Sequence, residues 1–138
     1  MKRYEQIPHT ADIAAKVYGR TMSELFQNAA YAMFDMIGDL EGLEFDTTVR
    51  VKTQAPDAEG LLVSWLNELL YLAYSKQAMF SEFSITFLGE NGLQGEARGQ
   101  GLKDYAKRIR REIKAATYHD LEIKISDQGY KVTIVFDV

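Results

Sequence analysis

The stretch from Leu61 to Tyr74 is the most apolar part of this 138-residue chain, and it limits the possible folds most strongly. Its large apolar residues recur at the spacing that places them on one side of an α-helix: Leu62, Trp65, Leu66, Leu69, Leu70 and Ala73. Ser64, Asn67 and Glu68 interrupt the stretch, which falls short of the ~20 residues needed to cross a bilayer. The pattern therefore predicts a helix packed in a core and no membrane span.

Two helices have recognisable starts. Thr21 and Glu24 have the spacing of a capping box, in which the hydroxyl accepts a bond from a free backbone N–H and the carboxylate reaches back. Helical apolar spacing follows as far as Gly38, which predicts the end of the first helix. Asp57 is the predicted N-cap of the second helix.

Alternating apolar and polar residues predict six strands, over residues 12–18, 48–53, 83–88, 93–97, 121–125 and 130–137. Residues 89–92 supply the turn of a hairpin, and residues 103–117 fit either a helix or a strand. The order of elements predicts an α+β fold, with two helices packed on one face of a mostly antiparallel β-sheet. The order of strands in the sheet stays undetermined.

Length and composition indicate one domain over residues 1–138, with 46% hydrophobic and 26% charged residues. The chain has no cysteine, which excludes disulfides and thiolate metal sites and suits a reducing compartment. Residues 1–5 lead straight into polar sequence without the apolar stretch of a signal peptide. We therefore expect a cytoplasmic protein.

The formal charge of −4 argues against a protein whose whole surface binds nucleic acid. The charge is uneven, however, because six basic and two acidic residues lie between Lys103 and Lys114. This basic run has two interpretations, a face that contacts a partner or an RNA backbone and an ordinary solvated face.

A first candidate site lies at the start of the strand 12–18, where His9, Thr10 and Asp12 follow Pro8. Such a cluster can bind a cation or move a proton. The alternative is a turn in which these side chains satisfy only their own backbone.

A second candidate is the end of the chain, where the Asp137 side chain and the Val138 α-carboxylate lie one residue apart. Hard oxygen ligands of this kind select Ca²⁺, Mg²⁺ or Mn²⁺. The alternative is a frayed terminus in water. Val132, Ile134 and Phe136 nevertheless form an apolar face that favours an ordered strand up to its end.

A third candidate combines Lys114, Thr117, Tyr118 and His119 within six positions. Lys114 suits a phosphate or carboxylate, and His119 suits a metal or a proton transfer. The alternative is a solvated face with a half-buried Tyr118. Glu96, in the predicted hairpin, is a weaker candidate.

Common enzyme signatures are absent from the sequence: there is no glycine-rich nucleotide loop, no His-Glu-x-x-His motif and no Gly-x-Ser-x-Gly motif. A stand-alone hydrolase that uses His9 and Asp12 is the weakest hypothesis, because no nucleophile or oxyanion-hole motif accompanies them.

Three motifs together resemble the archease family: Ile7 to Asp12 (IPHTAD), Lys114 to His119 (KAATYH) and Phe136 to Val138 (FDV). The resemblance extends over essentially the whole chain and includes the core from Trp65 to Leu70. The basic residues 103–111 depart from it, because the family's connection there is shorter and less basic. No contact is carried over to that region.

The resemblance implies an accessory protein of an RtcB-type RNA ligase, not an enzyme in its own right. Archeases promote the GTP-dependent guanylylation of that ligase and its repeated turnover in tRNA splicing and RNA repair. The family's metal site maps onto Asp12, Asp137 and an oxygen of Val138, with Ca²⁺ the first expectation and Mg²⁺ or Mn²⁺ the alternatives. Contact with RNA or GTP is expected to be indirect. The competing hypothesis is a chaperone-like binding module without metal-dependent chemistry.

Overall fold

The computed structural model describes residues 2–8 and 12–138. Within these residues the helices are α1 (Met22–Ile37), α2 (Ala58–Lys76) and α3 (Tyr105–Arg108). The strands are β1 (Tyr4–Pro8), β2 (Ile13–Gly19), β3 (Thr47–Gln54), β4 (Ala78–Leu88), β5 (Gly92–Gly101), β6 (Ala115–Ala116), β7 (Lys124–Ser126) and β8 (Gly129–Asp137).

The strands form two antiparallel sheets. The first sheet has the order β1-β2-β8-β6, with β7 also paired to β8, and the second has the order β3-β5-β4. The strand nearest the end of the chain therefore lies inside the first sheet, with β2 on one side and β6 and β7 on the other. This position fixes the backbone around Asp137.

Local sequence explains where the long helices begin. The Thr21 hydroxyl accepts a hydrogen bond from the Glu24 N–H at 3.1 Å, which confirms the predicted cap. The Glu24 carboxylate reaches back to the Arg20 N–H at 3.2 Å, one residue before the position that a capping box uses. The Asp57 carboxylate accepts from the Gly60 N–H at 2.7 Å, as predicted for the N-cap of α2.

Both long helices contact both sheets, and their buried side chains join one hydrophobic core. Trp65 is fully buried in α2 and donates its indole N–H to the Phe26 carbonyl of α1 at 3.0 Å. This bond satisfies the polar atom of the largest core residue and links the two helices. No helix of the described segments combines the length and the apolar character needed to span a bilayer.

The predicted α+β class with mostly antiparallel strands is confirmed. The prediction of a strand over 121–125 is correct only at its end, since β7 covers Lys124–Ser126. The Ile123 N–H donates to a Glu59 side-chain oxygen at 3.0 Å instead of to a strand neighbour. Strand β1 was not predicted, and residues 103–117 contain both a short helix and a short strand.

Part of the basic run has a structural role. The Arg108 guanidinium donates to the Asp39 and Glu41 carbonyls at 3.0 and 2.7 Å, and Arg110 donates to the Asp35 carbonyl at 2.8 Å. These carbonyls lie in and just after the last turn of α1, which has no basic residue of its own. The two arginines therefore supply the positive charge that a helix C-terminus favours.

Candidate site at the end of the first sheet

The pairing of β2 with β8 brings the two predicted metal ligands towards each other. The last residue pair of this ladder is Ile13 with Phe136. Asp12 directly precedes Ile13 and Asp137 directly follows Phe136, so each aspartate lies one residue beyond the last pair. Asp12 is half-buried and Asp137 is exposed. Sequence positions near the two ends of the chain thus meet at one end of one sheet.

The third motif lies on the other side of β8. The Lys114 N–H donates to the Asp137 carbonyl at 2.7 Å. Both the N–H and the hydroxyl of Thr117 donate to the Val135 carbonyl, at 3.0 and 2.8 Å. The structure therefore places residues 114–117 beside the strand that carries Asp137.

Two side chains of α2 hold this third motif in place. The Asn67 side chain accepts from the Ala116 N–H at 2.8 Å and donates to the Ala116 carbonyl at 3.2 Å, as a neighbouring strand would. The Tyr74 hydroxyl donates to the Ile113 carbonyl at 2.5 Å and accepts from the Ile113 N–H at 3.1 Å. Burial raises the pKa of Tyr74, which keeps its hydroxyl protonated and able to donate.

Sequence reasoning assigned no role to Asn67 or Tyr74. The signal for Asn67 was present, because an amide within an apolar helical stretch needs a hydrogen-bonding partner when it packs against other residues. The two residues are seven positions apart, so they lie on the same side of the helix. Residues 113–123 run along this side in the opposite direction to α2, and their far end is held by the bond from Ile123 to Glu59.

The remaining candidates lie apart from this arrangement or outside the described residues. Glu96 is in the second sheet, where its carboxylate accepts from the Arg50 guanidinium at 3.1 Å. His119 is exposed, and its Nε2 lies 3.3 Å from an Asp120 carboxylate oxygen. His9 and Thr10 fall outside the described residues.

The predicted ligands at this end of the sheet, Asp12, Asp137 and Val138, offer oxygen atoms. Within residues 2–8 and 12–138, no group of three or more histidine and acidic side chains is placed to hold a metal ion. A cation here would be held by the two aspartates together with main-chain or terminal oxygens such as that of Val138. Such donors fit the hard ions Ca²⁺, Mg²⁺ and Mn²⁺ better than softer metals.

These features define a small α+β protein with two sheets around shared helices and an oxygen-rich site where distant parts of the chain meet. The chain belongs to the archease family, because residues 4–138 match the model of the archease protein family (MTH1598/TM1083). The archease of Methanosarcina barkeri is 40% identical over 141 residues, which cover 99% of this chain and 97% of that protein. The archease of Pyrococcus furiosus is 33% identical, with full coverage of both chains.

Two solved structures have the same fold. The solution structure of Methanobacterium thermoautotrophicum protein 1598 matches with a TM-score of 0.87 and 33% identity, over 100% of both chains. The crystal structure of a Thermotoga maritima archease, described as a possible chaperone, matches with a TM-score of 0.62 and 27% identity, over 97% of this chain and 96% of that chain. The predicted family is therefore confirmed.

Proposed function

We propose that this protein activates an RtcB-type RNA ligase in the cytoplasm, by promoting the GTP-dependent guanylylation of the ligase during tRNA splicing and RNA repair. The observation that carries the proposal is the convergence of three separate motifs around the end of β8. Asp12 and Asp137 each adjoin the terminal pair of the ladder between β2 and β8, and Lys114 is bonded through its backbone to Asp137. Residues from distant parts of the sequence are thereby brought to one end of one sheet, which is where we place the contact with the partner protein.

The proposed ligands of a divalent ion are the carboxylates of Asp12 and Asp137 and an oxygen of Val138. A bound ion of this kind would neutralise the two carboxylates and supply positive charge to an anionic group of the ligase or of its nucleotide. Asn67 and Tyr74 contribute indirectly, because they fix residues 113–116 against β8. The exposed Lys114 side chain adds a second positive charge near the same end.

The test is RNA ligation by the cognate ligase under multiple-turnover conditions, with Asp12→Asn and Asp137→Asn as the variants. Each change keeps the size of the side chain and removes one carboxylate charge. We expect stimulation to fall at least tenfold with either variant, whereas a single turnover of ligase guanylylated beforehand stays unchanged. Asp127→Asn, an exposed aspartate in the turn between β7 and β8, is the matched control and should stimulate like the wild type.

Full stimulation by both site variants would show that these carboxylates do not act in the activation. Equal losses with the control variant would show that the effect is one of overall charge. Guanylylation of the ligase is measured separately, by transfer of labelled GMP from GTP, so that loss at this step is distinguished from loss at RNA joining.

A chaperone-like binding module is the second candidate function, favoured by the description of the Thermotoga maritima relative as a possible chaperone. This role requires contact with a protein partner but no divalent ion. It predicts that wild type and Asp137→Asn suppress the aggregation of unrelated unfolded proteins equally well. Suppression that requires Asp137, or that is confined to the ligase, contradicts this alternative.

A further inference from the structure

A second potential site lies on the same sheet, away from the paired aspartates. It is a groove of about 580 Å³, within the size range of sites for small ligands. Its lining comes from β2, β7, β8 and the segment before β7: Lys16, Tyr118, Asp120, Leu121, Glu122, Lys124, Lys131, Val132 and Thr133. Three of these residues are lysines contributed by three different strands.

The sheet register makes these lysines neighbours. Lys124 of β7 lies directly opposite Lys131 of β8. Lys16 of β2 lies opposite Thr133, which places it diagonally across from Lys131 on the same face. Like charges directly opposite each other destabilise a sheet, and a bound anion would relieve this repulsion.

The acidic residues around the lysines balance them only in part. Glu122 lies 3.7 Å from the Lys124 ammonium group, and Asp120 lies 3.3 Å from His119. On β1, Glu5 is opposite Lys16 but is also 3.0 Å from the Lys2 ammonium group and accepts from the Tyr18 hydroxyl at 3.2 Å. No carboxylate lines the groove beside Lys16 and Lys131 on β2 or β8 in the described chain.

The groove also offers a ring and hydroxyl-binding groups. Tyr118 is 62% exposed, which leaves most of its ring available for stacking. The Thr133 hydroxyl is a neutral donor beside the lysines, and the carboxylates of Asp120 and Glu122 can accept hydrogen bonds from sugar hydroxyls. Cations, an aromatic ring and carboxylates in one groove match the phosphate, base and ribose of one kind of ligand.

We propose that this groove binds a ribonucleotide, with its phosphate at Lys16, Lys131 and Thr133, its base on Tyr118 and its ribose hydroxyls at Asp120 or Glu122. The ligand is either a free nucleotide or a nucleotide within single-stranded RNA, since both present the same three groups. The site is distinct from the paired aspartates, because Asp137 and Lys131 are separated by roughly 20 Å along β8. The binding is a property of this chain alone and does not depend on the proposed ligase activation.

The experiment measures fluorescence anisotropy of a labelled ten-nucleotide single-stranded RNA with the purified full-length protein at low salt. We expect saturable binding that weakens at least tenfold in the double variant Lys16→Gln, Lys131→Gln. The control double variant Lys52→Gln, Lys76→Gln removes the same charge from exposed positions outside the groove and should bind within twofold of wild type. Tyr118→Leu should weaken binding at least fivefold through loss of base stacking.

Two further measurements, of salt dependence and of competition, test which ligand the groove binds. The slope of log affinity against log salt should be about −0.7 for one neutralised phosphate of a single strand, and closer to zero in the groove double variant. Displacement of the RNA by GTP at similar concentrations identifies a free nucleotide as a ligand, and displacement only by RNA identifies the polymer. A deoxyribonucleotide oligomer of the same sequence should bind more weakly.

Absence of saturable binding up to millimolar ligand would overturn the proposal, as would equal weakening by the groove and control variants. Asp137→Asn should bind the RNA like wild type, because it leaves the groove intact. The RNA-binding experiment is therefore independent of the ligation test. The groove proposal can fail while the proposed ligase activation holds, and the reverse is also true.

Discussion

The outward faces of the two sheets differ in how charges are placed across neighbouring strands. In the second sheet, Arg50 lies opposite Glu96 and Arg98 opposite Glu82, with N···O distances of 3.1 and 2.9 Å. In the first sheet, β1 places Glu5 opposite Lys16, but Lys124 lies opposite Lys131 and the two aspartates adjoin the last pair of β2 with β8. The second sheet thus pairs opposite charges, whereas the first sheet brings like charges together around β8.

This difference separates a structural surface from a binding surface. A cross-strand pair of opposite charges stabilises a sheet by roughly 0.2–1 kcal/mol, and like charges opposite each other destabilise it. The first sheet lacks the stabilisation of opposite-charge pairs in two places, at the two aspartates and at the lysine groove. A ligand of opposite charge would restore it, which is the physical basis of both proposed sites.

The largest expected effect concerns the edge of the first sheet. Asn67→Ala leaves the N–H and carbonyl of Ala116 without their side-chain partner, which should lower the free energy of unfolding by about 2–4 kcal/mol. Chemical denaturation measures the change. Glu68→Ala, at the exposed neighbouring position, is the control and should cost less than ~1 kcal/mol. A loss no larger than that of the control would contradict the supporting role of Asn67, since alanine has the higher helix propensity.

The proposed metal site predicts a ligand-dependent gain in stability. Ca²⁺ at 100 times its dissociation constant should raise the free energy of unfolding of the wild type by about 2.7 kcal/mol. Asp137→Asn should abolish most of this gain, whereas Glu96→Gln, a carboxylate of the second sheet, should leave it intact. Thermal unfolding with Ca²⁺ or with a chelator measures the difference. A gain of the same size in Asp137→Asn would contradict the site.

Charge reversal in each sheet tests the comparison directly. Lys131→Glu creates an opposite pair with Lys124 and should stabilise the ligand-free protein by about 0.5 kcal/mol, whereas Glu96→Lys should destabilise it by a similar amount. Both changes in the free energy of unfolding should be smaller at high salt, because the charged groups are near the surface and are screened. The measurement is urea unfolding at low and high ionic strength, and changes of the same sign would break the comparison.

The smallest effect concerns acid stability near the second sheet. The backbone N–H of Gly101 and then the Thr47 hydroxyl donate to Asp46, and these bonds lower the pKa of its carboxyl. A lowered folded-state pKa means stability that is present above the ordinary value near 4 and is lost as pH falls through the folded-state value. Asp46→Asn should therefore flatten the decrease in unfolding free energy at acid pH, and Asp127→Asn should leave it unchanged.

Local signals were sufficient to predict most elements. The caps at Thr21 and Asp57 and the period of the strands depend on neighbouring residues, so they can be read from one sequence. Strand β7 was placed too early because the apolar alternation of Leu121 and Ile123 reflects packing against the core, while the backbone of Ile123 bonds to a side chain.

Contacts between residues far apart in the sequence could be identified only from the structure. The motifs indicated which residues belong to the candidate site, but only the register of β2 with β8 shows that Asp12 and Asp137 each adjoin the same residue pair, Ile13 with Phe136. The support from Asn67 and Tyr74 was missed, because each bonds to a backbone more than 30 residues away. The lysine groove was missed for the same reason, since its three lysines come from strands that are adjacent only after folding.

The interior position of β8 has a consequence for biosynthesis. Strand β2 is made early, but its partner follows more than 100 residues later, which at 5–20 residues per second means a delay of roughly 6 to 25 s on the ribosome. During that interval one edge of the β1-β2 hairpin has no strand to pair with. Lys16 and the half-buried Tyr18 on β2 then keep the nascent edge from being uniformly apolar, which lowers its tendency to associate with other chains.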